Sequence, residues 1–258
     1  MHNVITSFNK AGFDRYGKDC IESYLRFWPT NVRLTVFYEG EESDFPMTHG
    51  VSWHPIESVP HLMDYLDSLR FPIMHGIVGN EFNMHLDARQ ARKAFMEVHA
   101  CQKYGGKVFW MDADTVTHAP VPDGFLDQVL PNDKMCCFLG RDGWYHTESG
   151  FIGFNMNHPL CNRFMKNYRN VFISGSHFTQ PGWNDCYGFD AMRHLFYQQG
   201  YQDAFHNLAE NVPEGTMHPF VNTVLGKYMD HRKGPRTGSS STSKDLVQPR
   251  EEAYWNGK

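Results

Sequence analysis

The 258-residue sequence contains no Cys-x-x-Cys pair and no Asn-x-Ser/Thr sequon. Its six cysteines (Cys20, Cys101, Cys136, Cys137, Cys161, Cys186) are scattered, so neither a zinc cluster nor a disulfide framework is indicated, and reduced core thiols are expected. No stretch approaches the roughly 20 uncharged apolar residues that a bilayer-spanning helix needs. The opening Met1-His2-Asn3-Val4-Ile5-Thr6 also lacks a basic region followed by an apolar run, and the expectation is a cytoplasmic protein without an integral membrane segment. An excess of positive charge is missing as well. With 24 Lys+Arg against 29 Asp+Glu, for a net charge of −5, the chain lacks the electrostatic footprint of a general nucleic-acid binder. There is no internal repeat.

What is present is 41% apolar residues, enough for a large core, and a surplus of aromatic and imidazole groups: 20 Phe, 12 Tyr, 6 Trp and 15 His. The first points to one large soluble domain; the second points to a ligand site. Asn3 to Phe8 reads as a strand feeding a polar loop, Asn9 to Gly12. Asp14 then caps a helix carrying Ile21, Tyr24, Leu25 and Trp28, stopped by Pro29. Val32 to Tyr38 alternates in period two as a second strand. A short helix near Ser58 to Leu69 and a loop from Arg70 to about Leu86 follow.

The most legible unit comes next. Asp87 caps a helix with Ala88, Ala91, Phe95, Val98 and Cys101 on its apolar face, ended by Gly105-Gly106. The apolar run Val108-Phe109-Trp110-Met111 then reads as a strand buried on both faces, terminating in Asp112-Ala113-Asp114. Later, Gly150 to Asn155 reads as a strand with close backbone approaches. Helices are expected after Pro159 (Leu160, Phe164, Tyr168, Val171) and from Asp190 to Gln199. This alternation predicts an α/β sandwich whose ligands sit at the carboxyl ends of a mostly parallel sheet. A single domain is expected over 1–236, and the Gly/Ser/Thr-rich composition beyond it predicts a flexible tail over 237–258.

Two carboxylates one residue apart at a strand end concentrate negative charge where ligands bind, and a hard divalent cation suits them. A solvated turn is the plain alternative, weakened by the deeply apolar strand before the pair. Arg89 and Lys93, four apart, share a helix face and can converge on a phosphate or a sugar hydroxyl; a solvated basic face is the rival. His231 lies in Met229-Asp230-His231-Arg232-Lys233-Gly234-Pro235-Arg236, where a neutral imidazole could complete a manganese site beside basic groups able to neutralise a diphosphate. Glu148, Asp185 and Asp190 supply further carboxylates, although Asp190 could equally be a helix N-cap. Trp144-Tyr145-His146 and Gln180-Pro181-Gly182-Trp183 place rings in loops, where they could carry a sugar or simply pack.

The segment Val108 to Thr115 resembles the Asp-x-Asp region of GT-A fold glycosyltransferases. The resemblance implies a GT-A-like three-layer sandwich and Mn2+ or Mg2+ held by Asp112, Asp114 and His231. It further implies a nucleotide-sugar donor, UDP-linked, and a carbohydrate or other hydroxyl acceptor. Ile5-Thr6-Ser7-Phe8-Asn9 is similar to the family's nucleotide-contacting start, which places Thr6, Phe8 and Asn9 at the donor. Arg89, Lys93 and Ala113 join them, as do Lys233, Gly234 and Arg236 through a pattern distantly similar to glycogenin. Glu148-Ser149-Gly150-Phe151-Ile152-Gly153-Phe154-Asn155 is similar to the strand lining the acceptor side, which makes Glu148, then Asp185 and Asp190, the catalytic candidates. A sugar-phosphate nucleotidyltransferase, or a carbohydrate- or nucleotide-binding module without catalysis, is the alternative.

Overall fold

The computed structural model describes residues 2–69, 81–141, 145–181, 184–233 and 245–256, with side chains described from 90 onward in the helix that begins at 81. Strand β1 (His2–Asn9) opens the chain. Helical backbone follows at once, through a turn at Lys10–Gly12 and a π-helical turn at Phe13–Gly17 into α1 (Lys18–Phe27). The expected loop is therefore helix. The cap is Asn9, whose Oδ1 accepts from the Gly12 N–H at 2.8 Å, and not Asp14.

The chain continues through β2 (Val32–Glu39), β3 (Val51–Pro55) and α2 (Leu62–Ser68). The long helix α3 (Glu81–Tyr104) leads to β4 (Lys107–Met111). It starts ahead of Asp87, because Glu81 to Leu86 holds neither proline nor glycine to stop it; the rest of the expected loop, 70–80, lies outside the described residues. The helix ends as expected, with Gly105 and Gly106 at φ +62° and +59°, a left-handed geometry that glycine adopts at little cost.

Then come β5 (Thr115–Thr117), α4 (Phe125–Val129), β6 (Cys136–Leu139), β7 (Glu148–Asn155) and α5 (Cys161–Ile173). Last are α6 (Asp185–Gln198), β8 (Phe205–Asn207), β9 (Met229–His231) and α7 (Ala253–Asn256). Helix α6 begins at Asp185, after Asn184 in extended backbone. Asp190 therefore lies inside the helix, and its reading as an N-cap is corrected.

Seven strands form the central sheet in the order β3-β2-β1-β4-β7-β6-β8. Pairing is parallel except on both sides of β7. Successive side chains leave opposite faces of a strand, and the core divides accordingly. Ile5, Trp110 and Ile152 pack under α3, α5 and α6, whereas Val4, Phe109 and Phe151 pack under α1 and α4. A helix layer covers each face, giving the expected three-layer sandwich.

Part of the segment expected as a tail lies against the body. Trp255 is buried and its indole N–H donates to the Gly226 carbonyl at 2.8 Å. Tyr254 stacks on His118 with ring centroids 4.0 Å apart, and its hydroxyl donates to Asp230 Oδ2 at 2.8 Å. The polar composition that suggested a tail stops short of these rings, which supply enough burial to hold residues 245–256 on the body. Trp255→Ala is expected to destabilise the protein by about 3 kcal/mol, read as a lowered urea midpoint; an unchanged midpoint would show that this segment contributes nothing to the fold.

Candidate active site

Growth of the sheet reverses between β1 and β4, so the carboxyl ends of these two strands flank a crevice, the usual ligand position in open α/β sheets. Beyond Met111 the chain turns tightly, with the Thr115 N–H donating to the Asp112 carbonyl at 3.0 Å. The turn feeds β5, which pairs antiparallel with β9 and sets Thr115 opposite His231. The Arg232 N–H donates to the Asp114 carbonyl at 2.9 Å. A short two-stranded ladder thus brings a distant histidine onto the Asp pair.

Ligand atoms of Asp112, Asp114 and His231 all lie within 4.8 Å of one another. His231 Nε2 is 3.0 Å from Asp114 Oδ1 and 3.4 Å from Asp112 Oδ2. Neighbouring ligands on an octahedral ion with bonds near 2.1 Å are about 3 Å apart, so these groups fit a divalent cation with little movement. The carboxylates are 30% and 22% exposed and border a cavity of about 410 Å3, which leaves room for water and a ligand at the remaining positions. Burial opposes charge on His231, but Asp114 and the hydrogen bonds to Asp114 and Glu148 outweigh it and raise its pKa to about 9.

Lys93 reaches this centre from α3. Its ammonium lies 3.3 Å from Asp112 Oδ1 and 3.1 Å from Asp185 Oδ2, bonds to the Ser149 carbonyl, and sits 4.9 Å from the Trp110 ring. Burial pulls its pKa down, yet Asp112, Asp185 and Glu97 hold it above the ordinary lysine value. The Trp110 indole N–H donates to Asp112 Oδ1 at 2.6 Å. Although burial disfavours the charge on Asp112, Lys93 and His231 keep its pKa below the ordinary value.

Glu148 and Asp185 both border the cavity, as do Ala113 and Lys233. The Glu148 carboxylate is fully buried, however, 3.0 Å from His231 Nδ1 and 2.9 Å from Lys233 Nζ. Asp190 is turned away from the main cavity: it accepts from the Thr147 N–H and hydroxyl at 2.7 and 2.6 Å and from Arg193 Nε at 3.0 Å. Thr6 is buried within β1 and Phe8 is part of the core. Ser7 lines the main cavity in their place, while Phe8 and Asn9 border an adjoining cavity of about 150 Å3 together with Tyr16. Arg89 lies on α3 with its side chain outside the described residues, and Trp144, Gly182, Trp183, Gly234 and Arg236 also lie outside them. Trp110, Tyr16, Gln90 and Arg141 border the site without having been expected there; a tryptophan in an apolar run carries no sequence sign that its N–H holds an aspartate.

No family model matches the sequence, and no curated protein matches it. Solved structures do. The galactosyltransferase LgtC, in complex with donor and acceptor sugar analogues, superposes over 90% of this chain and 87% of its own, at 12% identity and TM-score 0.50. Mouse xyloside xylosyltransferase 1 in its apo form covers 80% of this chain and 84% of its own, at 15% identity and TM-score 0.47. The mannosyltransferase Ktr4p from S. cerevisiae covers 72% and 64%, at 9% identity and TM-score 0.44. At 12% identity the likeness to LgtC is one of fold, and the chain has the GT-A architecture. Among the described residues, no helix is long and apolar enough to cross a membrane.

One buried acid stands behind the site. Glu97, one helical turn beyond Lys93, is 1% exposed, and its oxygens have no hydrogen-bond partner among the described residues. Tyr168 lies near enough to favour the ionised form but outside hydrogen-bond geometry. Burial dominates over the pull of Lys93 and raises the Glu97 pKa from 4.5 to about 8. The unfolded chain therefore releases this proton more readily, and the stability tied to it is complete below pH 4.5 and is lost as the pH rises toward 8. Glu97→Gln, neutral and of the same shape, is expected to flatten that decline and to gain a few kcal/mol over the native protein at pH 9. Urea unfolding of both proteins at pH 4.5, 7 and 9 checks this; parallel curves would contradict it.

Proposed function

We propose that the protein transfers a sugar from a nucleotide-diphosphate sugar, UDP-linked, to an acceptor hydroxyl, with Mn2+ or Mg2+ held by Asp112, Asp114 and His231. The observation that carries this reading is the convergence of these three groups at the sheet's reversal point, on the fold of a protein solved with donor and acceptor sugar analogues. A bound divalent ion supplies positive charge where the departing diphosphate develops its negative charge.

The chain's own residues divide the remaining work. Lys233, partly exposed at the cavity, adds a second positive charge for the diphosphate, and Gly234 and Arg236, which follow it in the sequence, are further donor contacts. Lys93 orients Asp112 and compensates the charge of Asp185, which leaves Asp185 at the cavity wall as the carboxylate nearest the reacting sugar. The small cavity at Ser7, Asn9 and Tyr16 has an aromatic wall suited to the donor base, with Arg89 as a further donor contact from α3; the buried side chain of Thr6 leaves only its backbone for that purpose. Asp190 holds Thr147 and borders the acceptor-side cleft. On the far side, His146 borders both the main cavity and a cleft of about 310 Å3 walled by Tyr145 and Tyr187. Its ring lies 4.1 Å from that of Tyr145 and 4.8 Å from that of Tyr187, a surface suited to a carbohydrate ring. A triphosphate loop of the nucleotidyltransferase kind has no counterpart at Asn9 to Gly12, where β1 passes at Asn9 directly into helical backbone at Lys10–Gly12.

Incubating the protein with Mn2+ and a panel of nucleotide sugars should release a nucleoside diphosphate, UDP above all. Asp114→Ala should lower that release at least about 100-fold, the scale of a lost charge contact in the transition state. Release that is unchanged in the variant, pyrophosphate as product, or binding without turnover would each overturn the assignment. Tyr145→Ala should raise the acceptor KM by up to about tenfold; an unaltered KM would remove the cleft from the acceptor path.

A further inference from the structure

We propose that Glu148 is the positioning residue for His231, accepting the ring's Nδ1–H so that Nε2 points at the Asp pair as a ligand. The inference rests on the metal reading above and deepens it. Three observations carry it. The Glu148 carboxylate is 0% exposed, with Oε1 3.0 Å from His231 Nδ1 and Oε2 accepting from the Phe220 N–H at 3.4 Å, so it is engaged on both oxygens and poorly placed to take a proton from an acceptor hydroxyl. The opposite nitrogen of the same ring lies 3.0 Å from Asp114 and 3.4 Å from Asp112; with Glu148 holding the Nδ1 proton, Nε2 is the nitrogen left to face the carboxylates, where a bound cation would replace the proton that bridges it to Asp114. Finally, the strand that carries Glu148 is shaped to admit the ring. A Cβ at Gly150 would overlap His231 Cε1 and Nδ1, so any larger residue there would push the imidazole off the carboxylate.

A carboxylate behind a ligating histidine fixes its tautomer and ring plane and raises its basicity, and its loss costs metal affinity roughly 10- to 100-fold. Lys233 shares the same Oε1 at 2.9 Å, so Glu148 could serve only to hold that lysine. The two roles separate on the metal alone. Lys233→Ala removes a positive charge from beside the site and should leave cation affinity equal or higher, whereas Glu148→Ala should lower it.

The test uses the full chain with Mn2+ and no nucleotide. Affinity is read by electron paramagnetic resonance titration, and ring ligation by the nitrogen modulation that a directly bound imidazole imposes on the Mn2+ echo. The native protein should show that modulation, and His231→Ala should abolish it. Glu148→Ala should bind roughly 10- to 100-fold more weakly with the modulation reduced. Glu148→Gln, which keeps an acceptor oxygen, should recover part of both. A thermal melt without metal accompanies each variant; if Glu148→Ala fails to fold, Glu148→Leu, of similar size and without an acceptor, takes its place, and native affinity with full modulation in that variant would overturn the role. Native modulation that persists unchanged in a folded Glu148→Ala would overturn it equally. If the native protein binds no Mn2+, or binds it without modulation, the ligand set itself is wrong and the role falls with it.

Discussion

Repulsion among acids is the constraint around which this site is organised. Asp112, Asp114, Asp185 and Glu148 gather at the edge of one cavity, with Glu97 directly behind. Carboxylates this close in a partly dry setting cannot all ionise unaided. Lys93 answers for Asp112 and Asp185, Lys233 and His231 for Glu148, and the Glu97 proton is retained on the carboxyl instead. The Asp pair is the part of the cluster with open positions and solvent access, so a divalent cation placed there completes an arrangement that is otherwise compensated from behind by lysines.

The sheet explains how these groups meet. Because β7 runs antiparallel beside β4, with Phe151 opposite Met111, the first residues of β7 fall at the end of β4 where the Asp pair begins, and the Asp112 N–H donates to the Gly150 carbonyl at 2.9 Å. A parallel β7 would have put Glu148 at the other end of the molecule. Likewise, β5 and β9 are only three residues each, but their pairing fixes the register of His231 to that of Asp114. The β9 strand is held in turn by the Tyr254 hydroxyl on Asp230, which ties the carboxyl-terminal segment to the neighbour of His231.

Legibility in the sequence follows the same division between local and distant. The β4 run and its two acids lie together in the chain, so their chemistry can be read from adjacent residues; the helix before them, Lys93 included, is readable from its period and its glycine stop. His231 stands out through the basic residues beside it. The role of Glu148 does not, since only the antiparallel register shows that its partner is an imidazole and not a sugar. Asp190 illustrates the converse: an acid beside a plausible helix start is read as a cap, whereas Asn184 takes that place and frees Asp190 to bind elsewhere. Beyond the Ser-rich stretch, composition alone does not show that Tyr254 and Trp255 contact the body.

The junction of Thr147 and Glu148 is where rigidity is concentrated. Asp190, itself ion-paired to Arg193, grips the Thr147 backbone and hydroxyl from α6; His231 and Lys233 grip Glu148 from the opposite side; Arg141 donates to the carbonyls of His146 and Thr147 at 2.7 and 3.3 Å. A catalytic centre gains most when its charged groups are held before substrate arrives, because no reorganisation is then needed as charge develops. The polar groups bordering Asp112, Asp114 and His231 are thus fixed by buried, charge-assisted bonds, and the aromatic walls at Tyr145 and His146 lie in the same connection between β6 and β7 as Arg141 and Thr147. Arg141 therefore couples the aromatic segment to the strand end that holds His231, through its bonds to His146 and Thr147 and the Glu148 contact one residue further on.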